Sequence, residues 1–117
     1  VPNLIDSIKT NSGLPAGINW SRKTDTLIES ETASVLSDMM HNNVIETYGE
    51  YNFPDLDICA KSGTAEVGGG NSPNAWFTGF LRDEKNPYAF IVLVENGGSG
   101  ANVAGSVANQ VLQELVN

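Results

Sequence analysis

The chain has 117 residues, enough for one domain with a hydrophobic core of its own. Fourteen acidic and six basic residues give a net charge of −8, which argues against nucleic-acid binding, because that requires clustered lysine and arginine. No apolar run approaches the roughly 20 residues that cross a bilayer, and a single cysteine, Cys59, excludes an internal disulfide.

The first 54 residues predict one long element. Residues 1–8 allow a short helical turn, 10–17 read as a connector, and 18–20 allow a brief strand. A helix is expected over residues 30–45, with Ser30 as its N-cap. Its apolar stripe comprises Ala33, Leu36, Met40 and Val44.

Two features lie at the end of this helix, a lone histidine and a predicted loop. His41, the single histidine, borders the apolar stripe, and we interpret it as a surface or capping residue without a catalytic role. Residues 48–54 are predicted to form a loop, because Gly49 and Pro54 break regular structure.

Three strands are expected next, over residues 57–66, 75–81 and 88–94. Short polar or glycine-rich connections make neighbouring strands antiparallel. Cys59 lies in an apolar run and is predicted to be a buried small residue. The third strand is continuously apolar, which is typical of a strand covered on both faces in the middle of a sheet.

The last element is a helix over residues 102–116, preceded by a glycine-rich connection that lacks the lysine of a phosphate loop. Its apolar face is built on one row, with three further residues beside it. The row is Val103, Val107, Val111 and Leu115, and its neighbours are Ala104, Ala108 and Leu112. The order predicts an α+β fold: a three-stranded antiparallel sheet with flanking helices.

The strongest chemical signal is the hexapeptide Lys-Ser-Gly-Thr-Ala-Glu at residues 61–66. Lys61 supplies positive charge, and the hydroxyls of Ser62 and Thr64 can donate hydrogen bonds. Gly63 allows a ligand to lie against the backbone. These residue types on a strand predict an anion site.

The hexapeptide, followed by Ala-Trp-Phe-Thr-Gly-Phe at residues 75–80, resembles the third active-site motif of penicillin-binding proteins. Those serine transpeptidases cross-link peptidoglycan and are related to β-lactamases. Ser62 stands where threonine is usual, a change that keeps the hydroxyl. The resemblance implies that residues 1–117 are a C-terminal portion of a transpeptidase domain and that the parent protein acts on the extracytoplasmic face of a bacterial membrane.

By this resemblance, Lys61 takes part in the catalytic network, and Ser62, Gly63 and Thr64 bind the carboxylate of a D-Ala-D-Ala stem peptide or a β-lactam. The backbone N–H of Thr64 is one donor of the oxyanion hole. No serine stands three residues before a lysine, so the nucleophile is expected outside this chain, which is then inactive alone. Ser72-Pro73-Asn74 matches Ser-x-Asn in the wrong order, and we interpret it as chance.

The resemblance implies no metal and no cofactor. It implies that the missing N-terminal part of the same domain is a partner, and that the third strand exposes an edge through which copies self-associate. Two other functions stay open at this stage. One is a non-catalytic binding module for a carboxylate or cell-wall ligand, and the other is a structural domain in which Lys61 is merely a solvated lysine.

Overall fold

The computed structural model describes residues 7–18 and 25–116. The chain forms two compact units, Val1–Ser30 and Glu31–Asn117. In the first unit, strand β1 (Ser7–Lys9) pairs antiparallel with strand β2 (Pro15–Ile18).

This hairpin corrects the prediction of a connector over residues 10–17. The turn is tighter than expected: the Thr10 N–H donates to the Leu14 carbonyl, and the Gly13 N–H donates to the Thr10 carbonyl, both at 2.8 Å. Gly13 has a φ of 83°, which glycine adopts without a steric penalty. Ser7 and Ile8 are extended rather than helical. The rest of the predicted helical turn, residues 1–6, and residues 19–20 of the predicted strand lie outside the described residues.

The second unit has the predicted order of helix, three strands and helix. Its regular elements are α1 (Ser30–Asn43), β3 (Ile58–Ala65), β4 (Asn74–Leu81), β5 (Ala89–Val94) and α2 (Gly105–Val116). Two π-helical turns extend the helices, Val44–Gly49 after α1 and Gly100–Ala104 before α2. The α+β class and the three-stranded antiparallel sheet are confirmed, whereas the predicted loop at 48–54 is in part helical, because a 3-10 turn (Glu50–Asn52) follows the first π-helical turn.

The strand order is β3-β4-β5, so β4 rather than β5 is the central strand. The prediction that residues 88–94 lie in the middle of the sheet is therefore wrong for this chain. Burial along β5 alternates, and Ile91 is 68% exposed, which is the pattern of a strand covered on one face. Among the described residues β5 pairs with β4 alone, so its outer edge has no strand partner there, which agrees with what the family resemblance implied.

One face of the sheet carries the core. Phe77 on β4 is fully buried and stacks on Phe53 and Phe90. Helix α2 covers this face with small residues, since a Cβ added at Gly105 would lie 3.6 Å from the Phe77 ring. The close approach explains why the row Ala104, Ala108 and Leu112 is buried.

The predicted central row of α2 is not the buried one. Val107, Val111 and Leu115 are exposed, Val111 to 52%. The sheet instead contacts the neighbouring side of the predicted apolar face, where Gly105 and Ala108 are buried. Small residues on this side let the helix backbone come closer to the sheet.

Helix α1 shows a larger departure from its pattern. Among its fourteen residues no side chain is buried, and Leu36 of the predicted stripe is 47% exposed. Val44, in the following π-helical turn, reaches the core. Polar contacts attach α1 to the sheet: the Cys59 thiol donates to the Ser37 carbonyl, and Arg82 pairs with Asp38.

Candidate functional site

Strand β3 changes character halfway along its length. Ile58, Cys59 and Ala60 are buried, whereas residues 61–65 are partly or fully exposed. The predicted burial of Cys59 is confirmed, and its thiol is hydrogen-bonded to Ser37. The polar motif thus continues directly from a strand segment that the core holds in place.

The hydrogen-bond pattern of β3 shows which backbone groups face its open edge. The Arg82 N–H donates to the Asp57 carbonyl at 2.9 Å, so this pair and every second pair after it are joined by backbone hydrogen bonds. The backbone groups of Ile58, Ala60, Ser62 and Thr64 therefore point away from β4. His41 and Tyr48 bear this out, because they contact the Ile58 carbonyl and the Ser62 N–H from that side.

Lys61 and Ser62 meet at this edge. The Lys61 ammonium donates to the Ser62 carbonyl at 2.7 Å, and the Lys61 side chain is exposed. Thr64 is exposed two residues further along, and side chains two apart on a strand share a face, so the Ser62 and Thr64 hydroxyls lie on one side. The structure therefore gathers a cation, two hydroxyls and the outward backbone N–H of Thr64 along one short stretch of edge, where the outward Ser62 N–H donates to Tyr48.

Gly63 fills a packing role in addition to the one that the sequence suggested. It lies opposite Trp76, and a Cβ on Gly63 would come within 3.2 Å of the Trp76 Cβ. Gly100, before α2, approaches the same place: a Cβ there would collide with the Gly63 carbonyl and lie 2.7 Å from the Trp76 carbonyl. Glycine at both positions lets the entry to α2 pack directly on the backbone of the motif.

Tyr48 is the site residue that the sequence did not reveal. Its hydroxyl donates to the Ser62 Oγ at 3.1 Å and accepts from the Ser62 N–H at 2.9 Å. It stands fourteen residues before Ser62, at the start of the predicted loop over residues 48–54, so no local pattern connects the two. A tyrosine directly before Gly49, a residue type that breaks regular structure, is the one sequence signal that could have singled it out.

A charged cluster lies at the opposite end of β3. The Arg82 Nε donates to Asp57 at 2.9 Å, and its Nη1 donates to Asp38 at 3.2 Å. The hydrogen bond to Asp57 raises the pKa of Arg82 above its usual value. The His41 Nδ1 lies 3.6 Å from Asp57 and 3.1 Å from the Ile58 carbonyl. These contacts link α1, β3 and β4, and they indicate a structural role.

One hollow lies beside Tyr48 and another beside the charged cluster, and no residue of the motif lines either of them. One, of about 300 Å³, lies beside Tyr48 and is lined largely by amide and hydroxyl side chains, including those of Asn52, Asn102 and Ser106. The other, of about 750 Å³, is open and includes His41 and Arg82. Within residues 7–18 and 25–116, no three His, Cys, Asp or Glu side chains are gathered so that they could hold a metal ion.

Comparison with protein-family models finds a match over residues 1–116 to the penicillin binding protein transpeptidase domain. No curated protein matches significantly. Among solved structures, the chain is similar to the imipenem acyl-enzyme complex of penicillin-binding protein A from Mycobacterium tuberculosis, with 25% identity and a TM-score of 0.71, covering 99% of this chain and 26% of that one.

It is also similar to the D,D-transpeptidase domain of a peptidoglycan glycosyltransferase from Eggerthella lenta. The identity is 25% and the TM-score 0.67, with 92% of this chain and 25% of that one covered. The chain therefore spans about a quarter of the length of these two structures.

Proposed function

The chain belongs to the penicillin-binding protein transpeptidase family, and on that premise we propose that it supplies the carboxylate-binding and oxyanion side of a D,D-transpeptidase active site. One observation carries the proposal: Lys61, Ser62 and Thr64 lie along the edge of β3 that faces away from β4, and the backbone N–H of Thr64 faces outward there. Charge and donors concentrated there suit an anionic ligand.

The substrate of this site is the terminal D-Ala-D-Ala of a peptidoglycan stem peptide, and a β-lactam is its analogue. The substrate carboxylate accepts hydrogen bonds from the Ser62 and Thr64 hydroxyls, while the Lys61 ammonium supplies positive charge nearby. Binding the carboxylate fixes the peptide along the strand edge, so that the preceding carbonyl lies over the Thr64 N–H.

The chemical step is acyl transfer to a serine outside residues 1–117. The oxygen of that serine attacks the carbonyl carbon, and the Thr64 N–H stabilises the negative charge that forms on the carbonyl oxygen. The C–N bond then breaks, and the terminal D-Ala leaves as an amine that takes up the proton lost by the serine. The amine of a second stem peptide displaces the serine and completes the cross-link. One oxyanion donor of this kind contributes roughly 100- to 1,000-fold in rate.

The active protein is proposed to work outside the cytoplasmic membrane, where peptidoglycan is assembled. No helix in the described parts of the chain is long and apolar enough to cross a bilayer. The substrate's location, rather than any segment of this chain, supports the placement.

The open edge of β5 is the proposed docking edge for the remaining strands of the same domain. Ile91 is exposed, and the backbone groups of β5 that face away from β4 have no strand partner among the described residues. An unpaired apolar edge pairs readily with another chain, so the isolated 117-residue chain is expected to self-associate. Light scattering should give a mass above that of the monomer, and a monomer at high concentration would contradict this.

Labelling with a fluorescent penicillin tests the proposed function. A longer protein that contains the rest of the transpeptidase domain should be labelled covalently, and the 117-residue chain alone should not. Ser62→Ala in the longer protein should slow labelling roughly 10- to 100-fold, because a hydrogen bond to a charged group is lost.

Two outcomes would overturn the proposal. Covalent label on the short chain would place a nucleophile within it. Reversible binding of a D-Ala-D-Ala peptide by the longer protein, without any covalent label, would instead favour a non-catalytic binding module.

A further inference from the structure

Tyr48 makes a paired contact with Ser62 that the proposed chemistry does not use. The Ser62 N–H donates to the Tyr48 hydroxyl at 2.9 Å, and the same hydroxyl donates to the Ser62 Oγ at 3.1 Å. One phenol oxygen therefore engages both the backbone and the side chain of a single motif residue.

The ring of Tyr48 is held in place from the core side. It packs edge-on against Phe77, with ring centroids 5.4 Å apart, and Phe77 is fully buried. The Asn52 amide donates to the Tyr48 carbonyl at 2.7 Å. Because backbone and ring are both anchored, the hydroxyl has a defined position at the edge of β3.

From this geometry we infer that Tyr48 is a positioning residue that sets the direction in which the Ser62 hydroxyl donates. A serine hydroxyl has one proton and two lone pairs. Since its Oγ accepts from Tyr48, the Ser62 hydroxyl donates its proton to a partner other than Tyr48. That partner is the substrate carboxylate, which is proposed to bind at the open edge of β3.

Consecutive hydrogen bonds strengthen the donation from the Ser62 hydroxyl to the carboxylate. The Ser62 N–H polarises the Tyr48 hydroxyl, which in turn polarises the Ser62 hydroxyl, and the last donor meets a negatively charged acceptor. The inference rests on the proposed function, since it assigns Tyr48 a part in recognising the carboxylate of that substrate.

Tyr48→Phe in the longer, nucleophile-containing protein tests the inference, because it removes the hydroxyl and keeps the ring against Phe77. The rate of acylation by a penicillin with a free carboxylate should fall about five- to tenfold. Tyr51→Phe is the matched control: it removes the same atom from a tyrosine that is 84% exposed, and it should leave the rate unchanged.

The methyl ester of the same penicillin separates positioning from a general structural effect. The ester keeps the reactive ring and lacks the charged acceptor, so Tyr48→Phe should slow its acylation much less than that of the free acid. Equal slowing of both compounds would contradict the inference, because distortion of the site affects both alike.

A double substitution provides the second check. If Tyr48 acts through Ser62, then Tyr48→Phe should cause no further loss in a Ser62→Ala background. Additive losses would overturn the inference. Wild-type rates for Tyr48→Phe, together with slow acylation of Ser62→Ala, would also overturn it while leaving the proposed function intact; failure of the wild-type protein to be acylated would remove the proposed function itself.

Discussion

The two halves of β3 share one strand and one register with β4 but serve opposite purposes. Residues 58–60 are buried, whereas residues 61–65 are partly or fully exposed and carry the polar motif. The buried half contributes apolar packing, and the exposed half contributes donors and charge. A strand can therefore hold exposed polar groups in a fixed conformation, because the buried residues of the same strand anchor its backbone.

Tyr48 and Gly100 connect the halves. Tyr48 packs on the core residue Phe77 and bonds to Ser62, and Gly100 lies against the Gly63 carbonyl. Both contacts come from the core face of the sheet, so packing in the core and geometry in the motif are coupled. Substitutions can therefore be chosen that affect one half, the other half, or the connection.

The largest expected effect is on the buried half. Phe77→Ala should destabilise the domain by about 3–5 kcal/mol, because it removes a fully buried ring that contacts three other aromatic rings. Urea denaturation of the longer protein measures the change. A loss below about 1 kcal/mol would show that the aromatic cluster does not hold the strand.

Lys61→Ala should have the opposite effect to Phe77→Ala: it should slow the chemistry and leave the stability of the domain nearly unchanged. Penicillin acylation is expected to fall by on the order of 100-fold, because the charge at the motif is lost. Stability should change by no more than about 0.5 kcal/mol, because the side chain is exposed. Acylation kinetics and a denaturation curve on the same preparation check both statements; a large loss of stability would erase the distinction between the halves.

Gly100→Ala tests the connection. Its Cβ would collide with the Gly63 carbonyl and crowd the Trp76 carbonyl, so we expect a loss of about 1–3 kcal/mol together with slower acylation. Gly105→Ala is the matched control. A Cβ there makes only ordinary contacts, 3.6 Å from Phe77, and should be tolerated. Slower acylation in the control variant would argue against a specific role for the Gly100 contact.

The smallest effect concerns the turn between β4 and β5. Hydrogen bonds from the Asn86 amide and the Lys85 N–H lower the pKa of Asp83 from its ordinary 3.8. A lowered pKa means that ionised Asp83 stabilises the fold above about pH 4 and that this contribution is lost as the pH falls through the folded-state pKa. Asp83→Ala should be slightly less stable than wild type at neutral pH, and the difference should shrink in acid. A difference independent of pH would contradict this.

Much of the second unit could be predicted from sequence, because its signals are local. The three strands lie within two residues of their expected bounds, since glycine-rich and polar turns separate apolar runs. The motif at residues 61–64 was found for the same reason: its residues are contiguous, and a strand presents them on one edge.

The errors arise where distant contacts decide the outcome. Val107 and Val111 are more apolar than Ala104 and Ala108, yet the alanines are buried, because close approach to the sheet requires small side chains. Tyr48 escaped notice because its partner is fourteen residues away. The hairpin of β1 and β2 was interpreted as a connector, because its strands have only three and four residues, and residues 10–17 include two glycines and a proline.

The most direct test of the account is a crystal structure of the longer protein acylated by a penicillin. We predict a carboxylate oxygen within about 2.7–3.2 Å of the Ser62 Oγ and the acyl oxygen at a similar distance from the Thr64 N–H. A carboxylate bound elsewhere, with Ser62 and Thr64 touching no part of the ligand, would contradict the claim that the exposed half of β3 is the anion-binding side of the site.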